Sequence, residues 1–160
     1  DKVVEDFINF YDLSDNSRIL DIGCGKGFML YDFKRKLNNI SISGIDISKY
    51  AIENSLEEVK EHLTVGNATS LPFDDNYFDL VISITTIHNL QNKELKKSLT
   101  EISRVSKKNA FITVDAYRDE IEKKIMFDWN LTAKTILHVE DWKNLFSETR
   151  YTGDYYWFTP

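Results

Sequence analysis

The sequence predicts an α/β protein with a doubly wound, mostly parallel sheet and helices on both faces. Short apolar runs alternate with amphipathic segments along most of the chain. A glycine-rich run, RILDIGCGKG at 18–27, joins the first apolar run to a helical segment. The acid Asp46 ends the next apolar run about one βα unit further on, which is the separation found in nucleotide-binding sheets.

The first half of the chain alternates helices and strands. Val3, Val4 and Phe7 recur at helical spacing, and Ser48 is a suitable helix N-cap because its hydroxyl can accept a hydrogen bond from a free amide of the first turn. The predicted elements are a helix over 2–11, a strand over 18–23, a helix over 26–37, a strand over 41–47, a helix over 48–60 and a strand over 62–66.

The second half continues this alternation and then becomes less regular. The clearest helix carries Leu95, Leu99 and Ile102 along one stripe, with lysines opposite. The predicted elements are a strand over 78–84, a helix over 92–106, a strand over 110–116, a helix over 118–130, a helix over 140–148 and one strand within the aromatic segment 151–160. Residues 131–139 receive no clear assignment. Right-handed crossovers place the loops after the strands along one rim of the sheet, where ligands bind.

Length and composition predict one domain over residues 1–160. The chain has 42% hydrophobic residues, enough for one sizeable core, and a formal net charge of −6. That charge argues against a broad nucleic-acid footprint and favours a small-molecule substrate. A single cysteine, Cys24, fits a reducing compartment, no apolar run reaches the roughly 18 residues that span a bilayer, and the opening DKVVED is too charged for a signal peptide. We therefore expect a cytoplasmic protein.

The glycine run indicates which nucleoside cofactor is bound. A nicotinamide dinucleotide fingerprint would place its third glycine where this chain has Phe28. Asp21, just before the turn, would repel a pyrophosphate at the helix N-terminus. The same acid would attract a cofactor that carries a sulfonium and an α-amino group. A nicotinamide oxidoreductase is therefore the disfavoured alternative.

Four blocks in order, LDIGCGKG, GIDIS, GNATSLPFDDNYFDLVIS and FITVDA, resemble the class I S-adenosylmethionine-dependent methyltransferases, in particular the type 11-like small-molecule enzymes. The resemblance covers residues 17–116 and implies a Rossmann-like fold, S-adenosylmethionine as cofactor and S-adenosylhomocysteine as product. Many family members have an acid where this chain has Asn67, whose amide can still hydrogen-bond adenine. The predicted cofactor-binding residues are Asp21, Gly23, Cys24, Gly25, Asp46, Ile47, Asn67, Ala68 and Thr85.

Several of these residues also have a purely structural interpretation. The glycines could form a tight turn without a ligand, Asp46 could favour the start of the next helix through its charge, and Asn67 could be a turn residue after a glycine. Cys24 is interpreted as a small packing residue, because no histidine lies near it in the sequence.

His88 is the candidate general base, because it follows the fourth strand at the ligand-binding rim and titrates near neutrality. A base is needed only for a hydroxyl or amine acceptor, and the alternative is a histidine packed in its loop. His62 and His138 have no acid or cysteine at ligand spacing, so no metal site is predicted.

The acceptor is left open by the sequence. Aromatic residues near the C-terminus could line an acceptor pocket or pack on both faces of a final strand. A non-catalytic cofactor-binding module is a further alternative, and the oligomeric state is open. No membrane or nucleic-acid partner is expected. The aromatic residues in question are Trp129, Trp142, Tyr151, Tyr155, Tyr156, Trp157 and Phe158.

Overall fold

The computed structural model describes residues 2–159. They form six α-helices, seven β-strands and two short 3-10 turns. The helices are α1 (Lys2–Phe10), α2 (Phe28–Lys36), α3 (Lys49–Glu53), α4 (Asn92–Val105), α5 (Glu120–Trp129) and α6 (Val139–Thr149). The strands are β1 (Arg18–Ile22), β2 (Ser41–Asp46), β3 (Leu63–Val65), β4 (Phe78–Ser83), β5 (Ser106–Tyr117), β6 (Leu137–His138) and β7 (Asp154–Phe158).

The strands form one sheet in the order β3-β2-β1-β4-β5-β6, with β7 also paired to β5. Every strand pairing is parallel. From β1 the chain adds β2 and β3 on one side of the sheet, and it then adds β4, β5 and β6 on the other side. The direction of winding therefore reverses at the junction of β1 and β4. The predicted doubly wound α/β fold is confirmed, and the reversal opens a crevice at the ends of these two strands.

Helices cover both faces of the sheet, and each face has its own apolar core. Phe7 of α1 and Phe33 of α2 pack with the buried β1 residue Ile19. On the other face, Leu99 of α4 and Trp142 of α6 belong to a second buried cluster. Burying apolar side chains on both faces explains why the central strands read as nearly continuous apolar runs. Among the described residues, no helix is both long and apolar enough to cross a membrane.

The predicted helix over 48–60 is wrong in length, because α3 ends at Glu53. Ser48 does cap it, accepting a hydrogen bond from the Ala51 amide at 3.1 Å. Beyond the helix the chain turns, and the Leu56 amide donates to the Lys26 carbonyl at 3.1 Å. This turn brings Val59, which is fully buried, beneath the glycine run. Burial of an apolar side chain thus outweighs helical propensity here.

The C-terminal aromatic residues do not share one environment. Trp142 and Tyr151 are buried. In β7, Trp157 stacks on Phe146 of α6 with a centroid distance of 5.8 Å. Tyr156 points to the opposite face of the strand and is 61% exposed. On that same face the Phe158 ring contacts Trp129 at a centroid distance of 6.0 Å, so both faces of the strand pack and Tyr156 remains largely exposed.

Candidate functional site

The glycine run forms a turn that side chains would obstruct. Gly23, Gly25 and Gly27 have φ values of 84°, 54° and 81°, in the left-handed region that favours glycine. The Gly23 amide donates to the Ile45 carbonyl at 2.7 Å, which ties the turn to the end of β2. A Cβ atom on Gly23 would lie 2.0 Å from Thr86 Oγ1. The turn therefore needs glycine for both its conformation and its close contact.

Asp46 is oriented by backbone amides. Its Oδ2 accepts a hydrogen bond from the Gly25 amide at 2.8 Å, and its Oδ1 accepts one from the Ser48 amide at 2.8 Å. Each carboxylate oxygen has a second acceptor position, so the fixed carboxylate can still bind two hydroxyl groups of a ligand. The structural and functional interpretations of Asp46 are thus compatible.

Asp21 is a buried acid beside the turn, 5% exposed. Within residues 2–159, no group donates a hydrogen bond to its carboxyl. Burial, with a smaller contribution from the charge of Asp46, raises the pKa of Asp21 to about 7. Burial, and then the charges of Asp21 and Asp46, also raise the pKa of the Cys24 thiol. The thiol is therefore protonated and unreactive at neutral pH, in agreement with a packing role.

A cavity of about 390 Å³, which we call the rim cavity, opens at the ends of the first strands. Ile47 is 74% exposed at this cavity. The predicted site residues that line the cavity are Gly23, Asp46, Ile47, Asn67 and Ala68. Five of the nine predicted residues, from three separate segments, thus meet around one space.

The other predicted residues do not line the cavity. Asp21 precedes the glycine turn, Cys24 and Gly25 lie within it, and Thr85 is exposed in the loop after β4. Thr85 adopts a φ of 48° and its amide donates to Thr113 Oγ1 at 2.7 Å. The next residue, Thr86, does line the cavity, so the predicted residue Thr85 is the immediate neighbour of a lining residue.

Asn67 combines a turn with a free donor group. Its Oδ1 accepts a hydrogen bond from the Thr69 amide at 2.9 Å, which is the turn-forming role. Its Nδ2 donates to no group among residues 2–159, so the amide nitrogen is available to an acceptor on a ligand.

Sequence reasoning missed the strap formed by residues 130–136, which closes one side of the rim cavity. Thr132 and Lys134 line the cavity from this strap, as do Asn89 and Leu90 from the loop after β4. The position of Leu90, shortly after a rim-facing strand, was a signal that could have found it. All of the strap but its first residue falls in the unassigned segment 131–139, and no pattern in the sequence marks it.

His88 lies away from both the rim cavity and the protein surface. Its side chain is buried, and Nδ1 accepts a hydrogen bond from the Asp115 amide at 3.2 Å. Burial lowers the pKa of His88 more than the nearby Asp115 carboxylate raises it. Its carbonyl accepts hydrogen bonds from the amides of Lys134 and Thr135, both at 3.0 Å. The structure thus places His88 as the anchor of the strap and not at the cavity.

The two other histidines have local roles. His138 caps α6 by accepting from the Glu140 amide at 3.2 Å, and His62 lies 3.4 Å from Lys34 Nζ. No group of three or more His, Cys, Asp or Glu side chains suited to a metal ion occurs among residues 2–159.

A second cavity of about 660 Å³, which we call the aromatic cavity, lies between α1 and strands β5 and β7. Two of the C-terminal aromatic residues that were candidates for an acceptor pocket, Tyr155 and Tyr156, line this cavity. Trp129, Trp157 and Phe158 do not line it. The aromatic residues that line it are Phe7, Phe10, Tyr11, Phe111, Tyr155 and Tyr156.

Comparisons with known proteins agree on one family. Residues 20–114 match the family described as Methyltransferase domain. A demethylmenaquinone methyltransferase of Symbiobacterium thermophilum is 33% identical over 133 residues, which cover 78% of this chain and 52% of that protein. The tRNA (carboxymethyluridine(34)-5-O)-methyltransferase of Arabidopsis thaliana is 34% identical over 134 residues, which cover 81% of this chain and 31% of that protein.

A solved structure gives the same fold. The YcgJ protein of Bacillus subtilis superposes with a TM-score of 0.72 at 22% identity, over 92% of this chain and 67% of that one. The chain spans between about a third and a half of the length of the two methyltransferases named above.

Proposed function

Because the chain belongs to the methyltransferase domain family, we propose that its rim cavity binds S-adenosylmethionine and that the protein transfers the methyl group to a small-molecule acceptor. The family match covers the glycine turn, Asp46 and the strand that carries Thr113. The family match leaves the cofactor and the acceptor open, and both are proposed here.

The observation that carries the proposal is the pair of acids at the glycine turn: Asp21 is buried there, and Asp46 lines the rim cavity. Asp21 has no hydrogen-bond donor among residues 2–159, and its charge and that of Asp46 repel each other. A sulfonium or ammonium group would relieve this repulsion, whereas the pyrophosphate of a dinucleotide would increase it. The two carboxyl groups thus fit S-adenosylmethionine and disfavour NAD.

The lining residues fit the adenosine part of this cofactor. Asp46 would accept hydrogen bonds from the two ribose hydroxyls, because both carboxylate oxygens retain an acceptor position. Ile47 and Ala68 supply apolar surface for the adenine ring, and the free Nδ2 of Asn67 can donate to a ring nitrogen. Leu90 adds a further apolar wall.

Bound S-adenosylmethionine supplies a methyl group that is already activated by the sulfonium. The chain's own task is to align the acceptor with that methyl group and to keep water away. Gly23 lets the backbone approach the cofactor, while the strap limits access from solvent. His88 is buried and holds the strap, so the proposal assigns it a positioning role and no proton transfer.

A small-molecule acceptor and a reducing, cytoplasmic location complete the proposal. The net charge of −6 disfavours a polyanionic acceptor. A single free thiol, Cys24, is what a reducing compartment favours. One of the two relatives is named for demethylmenaquinone and the other for a tRNA, and the net charge of −6 favours a small-molecule acceptor for this chain.

Calorimetric titration tests the cofactor assignment. We expect S-adenosylmethionine and S-adenosylhomocysteine to bind the 160-residue chain, and NADH not to bind under the same conditions. The Asp128→Asn variant serves as a control, because Asp128 is exposed on α5, far along the chain from the turn. Binding of NADH without binding of S-adenosylmethionine would contradict the proposal.

A further inference from the structure

The aromatic cavity has the size and character of a small-molecule site. Its volume of about 660 Å³ falls within the range of roughly 300 to 1,000 Å³ that is typical of ligand pockets. Phe10 and Tyr156, on opposite walls of it, are 74% and 61% exposed. Aromatic side chains that remain this exposed have surface to bury against a ligand.

The two cavities lie on either side of a single residue. Ile84 lines the aromatic cavity, Thr86 lines the rim cavity, and Thr85 separates them along the chain. The Thr85 amide donates to Thr113, which lines the aromatic cavity. Thr85 and Thr86 thus connect the aromatic cavity to the glycine turn, which Thr86 contacts at Gly23.

The ionisable side chains of the aromatic cavity favour a cation. Among the described residues, two carboxylates line the cavity, Asp6 and Asp154, and no Lys, Arg or His side chain does. Asp6 has no ion-pair or hydrogen-bond partner within residues 2–159. Tyr11 donates its hydroxyl to Asp154 Oδ2 at 2.8 Å, which orients that carboxylate and leaves Oδ1 available. Carboxylates beside aromatic faces are a pattern that binds ammonium groups.

We propose that the aromatic cavity holds the methyl acceptor, and that this acceptor is an apolar amine whose nitrogen is attracted by Asp6 and Asp154. This inference rests on the proposed methyltransferase function. An anion would meet two carboxylates here, and a neutral hydrocarbon would leave both unused.

The charge movement of the reaction agrees with this arrangement. The bound ammonium first gives a proton to water. The lone pair of the resulting neutral amine attacks the methyl carbon, the C–N bond forms, and the C–S bond breaks with its electron pair passing to sulfur. The positive charge moves from sulfur to nitrogen, and the product ammonium then gives its proton to water. Carboxylates on the acceptor side stabilise the charge that develops on nitrogen in the transition state.

Three indole compounds that differ mainly in charge test the proposal. Tryptamine is cationic, tryptophol is neutral and indole-3-propionate is anionic at neutral pH. Each is titrated calorimetrically into the 160-residue chain saturated with S-adenosylhomocysteine. We expect tryptamine to bind about tenfold more tightly than tryptophol, because ion pairing and cation–π contact each add a modest gain, and indole-3-propionate to bind least.

Conservative variants locate the effect. Asp154→Asn keeps an oxygen that can accept from Tyr11 and removes the charge, and Asp6→Asn removes the other charge. Each should weaken tryptamine binding about three- to fivefold without changing tryptophol binding. Asp128→Asn, paired with Lys124 on α5, should change neither.

The outcomes separate this inference from the proposed function. Binding of S-adenosylhomocysteine without preferential binding of tryptamine overturns the amine assignment and leaves the cofactor assignment intact. Failure to bind S-adenosylhomocysteine overturns both. If light scattering shows a dimer that Phe10→Ser dissociates, a second copy of the chain covers the cavity, and the amine assignment is likewise overturned.

Discussion

The rim cavity and the aromatic cavity are built by different means. The rim cavity depends on backbone: a turn of three left-handed glycines and a carboxylate fixed by two main-chain amides. The aromatic cavity depends on side chains from α1, β5 and β7, and the hydrogen bond between Tyr11 and Asp154 joins residues 143 apart in sequence. A cofactor site made of backbone can be recognised from a short motif, whereas an acceptor site made of distant side chains cannot.

The largest expected effect is at Gly23, where the backbone of the rim cavity is most constrained. In Gly23→Ala, the new Cβ would meet Thr86 at 2.0 Å and the residue would have a φ near 84°. Overpacking and backbone strain together should lower the free energy of unfolding by about 3 to 5 kcal/mol, as measured by urea denaturation.

Gly25→Ala is the matched control, because nothing lies within 4 Å of its added Cβ, and φ is 54° there. Only the left-handed backbone penalty of about 1 to 2 kcal/mol should remain. Equal losses in the two variants would show that the contact with Thr86 does not matter.

The next effect concerns the buried acid at the same turn. The pKa of Asp21 is raised to about 7 in the folded protein, against 3.8 without the fold. The folded state therefore binds more protons than the unfolded state between about pH 4 and pH 7, and stability falls as the pH rises through that window. The loss reaches at most about 4 kcal/mol above pH 7, and binding of a cation should reduce it.

Asp21→Asn removes this titration. The variant should unfold at higher urea concentrations than the wild type at pH 8, and the difference should disappear near pH 4. A variant that is less stable than the wild type at pH 8 would show that the Asp21 charge is already compensated.

Asp46→Ala separates the two cavities. We expect the affinity for S-adenosylhomocysteine to fall by about 1 to 3 kcal/mol, the range for lost hydrogen bonds to a charged group. Calorimetry is the measurement, and tryptamine affinity is the internal control because Asp46 does not line the aromatic cavity. Unchanged cofactor affinity would remove Asp46 from the site.

The smallest effect on stability is expected in the aromatic cavity. Phe10 is 74% exposed, so Phe10→Ser should change the free energy of unfolding by less than about 0.5 kcal/mol. Its tryptamine affinity should nevertheless fall by about 0.5 to 1 kcal/mol, because one aromatic face is lost. A large loss of stability would instead identify Phe10 as a core residue.

The central fold could be predicted because its signals are local. The apolar runs around Ile19, Leu80 and Ile112 are strands that are buried on both faces, and the stripe through Leu99 packs on the sheet. The prediction failed at residues 54–60, where turns that bury Val59 interrupt the helical pattern. Tertiary burial decided that segment, and no periodicity reveals it.

The candidate site could be predicted only where backbone geometry dominates. Gly23 and Asp46 were found from their spacing, since the parallel pairing of β1 and β2 brings the ends of both strands together. Lys134 was not found, because its position depends on main-chain hydrogen bonds to His88. His88 itself has the residue type of a base, yet packing buries it away from both cavities.

The sequence by itself determined the fold class, the glycine turn and the carboxylate at the end of β2, because alternation and glycine spacing act over a few residues. The tertiary structure alone decided the burial of His88 and Asp21, the strap over the rim cavity and the aromatic cavity. Burial and charge depend on which distant segments meet, and the contact between Tyr11 and Asp154 forms only once the sheet has brought α1 and β7 together.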